Sequence, residues 1–157
     1  MSETAAVGDP IPDIPLETSD GKTFSIGDFA GKRVVLFFYP KDNTPGCTTE
    51  ATDFSALRPD FDKAGVALLG ISKDSPQKHR NFIAKHALKV PLATDREDDG
   101  LSDRLGVWAE KKMYGKAFMG MVRTTYLVGP DGRIERVWNK VKVKGHAAEV
   151  LEAVRSK

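Results

Sequence analysis

The 157-residue chain has one cysteine, Cys47. A single thiol closes no internal disulfide and cannot supply the thiolates of a structural zinc site, so a packed core has to hold the fold together. Long apolar runs are missing too: the longest, Val34 to Tyr39, falls far short of the about 18 residues that suggest a membrane span. Met1 to Asp9 has neither a basic n-region nor an apolar h-region, so no secretory signal is read there and the expected location is the cytoplasm. Charge of one sign is not in excess. Twenty-four basic residues against 22 acidic ones give +2, too little for the phosphate-neutralising stripe of a nucleic-acid binder. There is no Gly-x-Gly-x-x-Gly, no P-loop and no Cys-x-x-Cys, so neither a nucleotide cofactor nor a dithiol cycle is expected, and no metal is called for. Repeats and Gly/Ser-rich linkers are absent as well, and residues 1–157 read as one domain.

What is present points to an ordinary globular core. With 40% hydrophobic and 29% charged residues, a chain of this length buries roughly two-thirds of its unfolded surface. Asp20-Gly21 between Ile14–Thr18 and Lys22–Ser25 predicts a small hairpin. Arg33 to Tyr39, nearly continuous in apolar character and ended by Pro40, predicts a central strand buried on both faces. Thr44-Pro45 reads as an N-cap followed by proline at the first helical position, and Ala51, Phe54, Leu57 and Phe61 then recur on one helical face. Pro59 is expected to kink or divide that helix. Val66–Ile71 predicts a second strand and Ser75-Pro76 a second capped helix, with Phe82 and Ile83 inward. A short strand at Val90–Ala93 and an acid-started helix from Asp98 to Leu105 follow. Met121–Val128 and Arg133–Trp138 form a hairpin around Gly129-Pro130-Asp131-Gly132, and Ala147, Val150, Leu151 and Val154 mark a closing amphipathic helix. This order implies an α/β fold, a thioredoxin-like three-layer α/β/α sandwich with a mixed central sheet.

The chemistry concentrates in Phe38-Tyr39-Pro40-Lys41-Asp42-Asn43-Thr44-Pro45-Gly46-Cys47-Thr48-Thr49-Glu50. With Thr44 as cap, Cys47 is the third helical residue, where unpaired N–H groups and the helix dipole favour an anion. The thiolate is the nucleophilic form of cysteine. In open α/β sheets ligands bind outside the carboxyl ends of the strands, the rim on which Cys47 falls. Against this stands the plain alternative of a lone cysteine acting as a small buried hydrophobe.

Pro40, Thr44 and Cys47 make Pro-x-x-x-Thr-x-x-Cys, and here the chain resembles the peroxiredoxins. It is most similar to their Q-type, or bacterioferritin-comigratory-protein, subfamily, with Phe-Tyr-Pro-Lys-Asp-x-Thr-Pro-Gly-Cys-Thr-x-Glu as the pattern. The resemblance implies a thiol peroxidase that reduces hydrogen peroxide or small organic hydroperoxides. Within it, Cys47 is the peroxidatic cysteine, which becomes a sulfenic acid. Thr44 directs its hydroxyl to thiolate and peroxide, and Pro40 shields the thiolate from water. Arg123, in Val122-Arg123-Thr124-Thr125-Tyr126-Leu127, matches a family arginine on a later strand, whose charge and planar fork suit both sulfur and peroxide oxygen. Glu50 either orients Arg123 or occupies a solvated helix position. Tyr39 either lines the pocket or is a core aromatic.

The chain departs from the subfamily at the resolving cysteine. Where relatives carry it five residues on, or in the next helix, this chain has Thr52 and Ile83. The resemblance then implies a one-cysteine cycle, with an external thiol as reductant, glutathione/glutaredoxin or thioredoxin, and a monomer, with a dimer as the alternative; the short apolar runs call for no membrane. A rival reading is a peroxide sensor or relay that passes oxidation from Cys47 to a partner protein. Other patterns carry less. Asp95, Glu97, Asp99, Gly100 and Asp103 mimic an EF-hand loop until its twelfth position, which is Gly106. Lys140, Lys142 and Lys144 alternate with Val141 and Val143 as in a half-exposed extended edge. His79, His86 and His146 read as surface or satisfied helix histidines, and Trp108, Trp138 and Met113–Met121 as core or exposed rim.

Overall fold

Alternation along Arg33–Phe38 sends Val35 and Phe37 to one face of a sheet and Val34, Leu36 and Phe38 to the other, and all five side chains are fully buried. The computed structural model describes residues 5–29 and 31–155. In chain order the strands are β1 (Leu16–Thr18), β2 (Thr23–Phe24), β3 (Arg33–Phe38), β4 (Val66–Ser72), β5 (Leu92–Thr94), β6 (Trp108–Met113), β7 (Lys116–Met121), β8 (Thr124–Val128) and β9 (Ile134–Trp138). The helices are α1 (Pro45–Lys63), α2 (Pro76–His86), α3 (Leu101–Leu105) and α4 (His146–Arg155). Seven strands form one sheet in the order β2-β1-β5-β4-β3-β8-β9, while β6 and β7 pair separately. Within the large sheet β3–β4 and β4–β5 are parallel and the other pairs antiparallel, so it is mixed, as expected.

The helices take the two faces unequally. Phe54 and Phe61 of α1, Phe82 of α2 and Val150, Leu151 and Val154 of α4 pack on the face of Val35 and Phe37. The opposite face is covered by Ile11, Ile14 and the short α3 through Leu101 and Leu105. This is the thioredoxin-like sandwich with one thin outer layer. Phe37 stacks on Phe54 with ring centroids 4.5 Å apart, and Gly70 of β4 makes that possible: a Cβ there would sit 2.7 Å from both Phe37 Cζ and Leu92 Cδ2.

Several sequence expectations need correction. Pro59 does not divide α1, which runs unbroken over 19 residues. Met121 does not begin the strand that contains Tyr126; it ends β7, and Val122-Arg123 separates β7 from β8. Arg123 therefore lies in a break between strands rather than on one. The lysines of 140–144 are exposed but sit in an irregular loop, not an extended strand. The β6–β7 hairpin, turning at Tyr114-Gly115, has no counterpart among the sequence expectations.

Candidate active site

Helix α1 starts at the carboxyl end of β3. Thr44 occupies the N-cap in extended conformation (φ −91°, ψ 156°), Pro45 follows at the first helical position, and Cys47 is third. The first helical bond is Thr48 N–H to Thr44 carbonyl at 2.8 Å, so the amides before it have no partner within the helix. The Thr44 side chain does not cap. Its hydroxyl donates instead to the Lys41 carbonyl at 2.9 Å, which commits its one proton to the loop. Pro40, half-buried, lies two residues beyond the end of β3, and the preceding Tyr39 N–H reaches the Ile71 carbonyl at 3.0 Å.

Cys47 is only 2% exposed and borders the α1 core cluster. Its sulfur accepts a hydrogen bond from Arg123 Nη2 at 3.3 Å, while Arg123 Nη1 donates to Glu50 Oε1 at 2.7 Å. One guanidinium thus bridges the thiol and a carboxylate one helical turn further along α1. Gly46 permits this approach, because a Cβ at that position would come within 3.2 Å of Arg123 Nη2. The arginine is held from its own side by the Val141 N–H, which donates to its carbonyl at 3.0 Å, and by the Val122 N–H to Val107 carbonyl bond at 2.7 Å that closes the base of the β6–β7 hairpin. Burial works against the Arg123 charge, but Glu50 and Cys47 outweigh it and move its pKa up.

Glu50 is buried, not solvated, and its Oε1 accepts the hydrogen bond from Arg123. Its second oxygen, Oε2, is buried without a hydrogen-bond partner. Burial raises its pKa to about 7 against the opposing pull of Arg123. The folded chain therefore holds this proton more tightly than the unfolded one. The resulting stabilisation is complete below the ordinary value of 4.5, declines as pH rises and is gone above about 7, where the fold has to carry a buried carboxylate. Stability measured by urea unfolding is expected to fall across that window, and Glu50→Gln is expected to flatten the decline. An unchanged slope in the variant would show that another group causes it.

Tyr39 belongs to the core. Its ring lies among Phe37, Phe82 and His79, and its hydroxyl donates to Asp42 Oδ1 at 2.6 Å. Asp42 Oδ2 meets His79 Nδ1 of α2 at 2.7 Å, and His79 Nε2 donates to the Ala93 carbonyl at 3.0 Å. The Asp42 N–H donates to Asp74 Oδ2 at 2.8 Å. This buried network pins the loop that delivers Thr44 and Cys47. Sequence reading misses Asp42, Asp74 and His79 as a set, and nothing in their spacing reveals it. At the two positions where the resemblance implies a resolving cysteine, Thr52 is exposed and Ile83 packs partly buried against the α1 cluster.

Comparison with known proteins identifies the family. The model of the AhpC/TSA family matches residues 7–137. Peroxiredoxin Bcp of Xanthomonas campestris pv. campestris is 48% identical over 144 residues, covering 92% of this chain and 89% of the relative. Peroxiredoxin Bcp of Bacillus subtilis is 43% identical over 152 residues, covering 97% and 96%. Among solved structures, a cysteine-to-serine mutant of Xylella fastidiosa PrxQ superposes with a TM-score of 0.91 at 38% identity, covering 99% of this chain and 98% of that one. The bacterioferritin comigratory protein of Xanthomonas campestris, solved in connection with its alkyl peroxide reduction activity, gives 0.86 at 44%, covering 94% and 98%. Peroxiredoxin Q of that organism has been solved with either of two cysteines replaced, and their separation along that chain equals the separation of Cys47 from Ile83 here.

Proposed function

The chain belongs to the AhpC/TSA family and is a thiol peroxidase, and on that premise we propose that Cys47 reduces hydrogen peroxide or a small organic hydroperoxide in a cycle completed by a thiol from outside the chain. The observation that carries this reading is the Arg123 fork, with Nη2 on Cys47 Sγ at 3.3 Å and Nη1 on Glu50 at 2.7 Å. The Cys47 thiolate attacks the terminal peroxide oxygen. An S–O bond forms, the O–O bond breaks, and the departing oxygen leaves as water or alcohol after taking a proton. Arg123 holds positive charge where negative charge is redistributed between sulfur and oxygen. Pro40 closes the pocket against water, and Gly46 leaves room for the guanidinium. Thr44 serves the peroxide only by turning its hydroxyl away from the Lys41 carbonyl.

The product is a Cys47 sulfenic acid. With Ile83 and Thr52 in place of a second thiol, the external thiol attacks this sulfur, releases water and forms a mixed disulfide, which a further thiol reduces. Glutathione with glutaredoxin, or thioredoxin, fits that role. Peroxide consumption followed with each system in turn is expected to show sustained turnover with at least one of them. Excess peroxide with scarce reductant is expected to inactivate the enzyme through the sulfinic acid, seen as two added oxygen atoms in the intact mass. One rapid oxidation with no cycling under any cellular thiol would instead favour a sensor that hands its oxidation to a partner protein.

A further inference from the structure

The first step of this cycle needs a proton for the departing oxygen, and neither Arg123, which touches Cys47, nor the α1 residues Thr44 and Glu50 are placed to give one. Arg123 remains charged at all relevant pH and does not release its proton. The Thr44 proton is engaged by the Lys41 carbonyl. Glu50 turns one oxygen to Arg123 and buries the other.

The β6–β7 hairpin brings another candidate. Lys111 of β6 pairs with Phe118 of β7, next to the Ala109–Gly120 pair and then Trp108–Met121, where the hairpin meets the chain leading into Arg123. Both Lys111 and Phe118 lean over Gly120: a Cβ there would lie 3.2 Å from Lys111 Cδ and 3.3 Å from Phe118 Cε2. Gly120 therefore lets the lysine stem lean over the neighbouring strand towards the base of the hairpin. Lys111 is half-buried, and the charges of Arg123 and Cys47 both act on its ammonium.

We propose that Lys111 is a catalytic residue that protonates the leaving oxygen when Cys47 attacks a hydroperoxide. As sulfur binds the terminal oxygen and the O–O bond breaks, the remaining RO⁻ takes a proton from the Lys111 ammonium and departs as ROH. The neutral amine recovers a proton from solvent, to which the half-buried side chain remains open. Burial and the neighbouring Arg123 lower the Lys111 pKa, while Cys47 raises it; the net direction is down, which makes the ammonium a better acid. The inference rests on the peroxidase reading of Cys47.

Leaving-group chemistry separates proton donation from a general electrostatic or structural role. Hydroxide or alkoxide leaves poorly unless protonated, since water and alcohols are very weak acids, whereas a peracid expels a carboxylate, a group with a pKa of about 4, which needs no proton. Rates of Cys47 oxidation are to be measured by stopped flow with tert-butyl hydroperoxide and with peracetic acid, for the wild type, Lys111→Met and Lys111→Arg. The Met variant is expected to lose roughly 100-fold with the alkyl hydroperoxide and less than about threefold with the peracid, whose rate also reports an intact site. Lys111→Arg is expected to resemble Lys111→Met, because guanidinium keeps the charge but is far too weak an acid to give up its proton. Equal losses on both oxidants, rescue by arginine, or no loss would each overturn the proposal while leaving the peroxidase reading intact. A wild type without Cys47-dependent oxidation would overturn both.

Discussion

Serine at position 47 is expected to reduce peroxide consumption at least about a thousandfold, to the level of the reductant alone. A serine hydroxyl is a weak nucleophile unless a neighbouring base activates it. The three histidines that could do so are committed elsewhere. His79 is bound to Asp42 and Ala93, His86 to Asn43 at 3.0 Å, and His146 to Thr125 at 2.8 Å. Burial, partly offset by Glu149, lowers the pKa of His146. Arg123 can hydrogen-bond to a serine oxygen but cannot accept its proton. Because serine is small and Cys47 lies at the edge of the α1 cluster, the variant is expected to fold. Consumption assays with each thiol system, paired with thermal unfolding, check both halves. Residual peroxide activity well above background would mean that the reaction does not pass through this sulfur.

Replacing Arg123 by lysine is expected to slow Cys47 oxidation by about 100-fold although the charge is conserved. The arginine fork reaches Sγ with one nitrogen and Glu50 Oε1 with the other, and a single ammonium cannot reproduce both contacts in that geometry. An ammonium that stays with the sulfur leaves Glu50 with two unpaired buried oxygens, since Oε2 already has no partner. An ammonium that moves to Glu50 abandons the sulfur. Stopped-flow oxidation of the variant with hydrogen peroxide tests this. A rate within about threefold of wild type would show that charge alone suffices and that the fork is incidental.

Much of this arrangement is legible in the amino-acid sequence. The apolar stretch at Arg33–Tyr39, the Thr44-Pro45 helix start and the spacing of Ala51, Phe54 and Phe61 are local signals, and they place Cys47 at a helix start on the sheet rim. Arg123 is reached only through the family resemblance. Its setting between strands is hidden because Met121 to Val128 reads as one strand, and nothing in that run marks where the chain leaves the hairpin for the main sheet. The β6–β7 hairpin is obscured for a related reason: adjacent lysines at 111 and 112 and adjacent apolar residues at 118 and 119 blur the two-residue alternation of a strand. The Asp42–His79 contact joins residues 37 apart through the packing of α2, which no local pattern encodes. Glu50 is ambiguous in sequence because a charged residue in the first turns of a helix is ordinarily solvated. Its burial depends on Arg123 arriving from 73 residues away.

The central claim is that Cys47 takes one oxygen from peroxide and gives it up only to a thiol supplied from outside. Intact-mass spectrometry after one equivalent of hydrogen peroxide, followed by glutathione, tests it directly. The account predicts a gain of one oxygen atom on the wild type, stable until glutathione is added and then replaced by a glutathione adduct, with neither species on Cys47→Ser. An unmodified wild type, the same gain in the serine variant, or return to the reduced mass without any added thiol would contradict it.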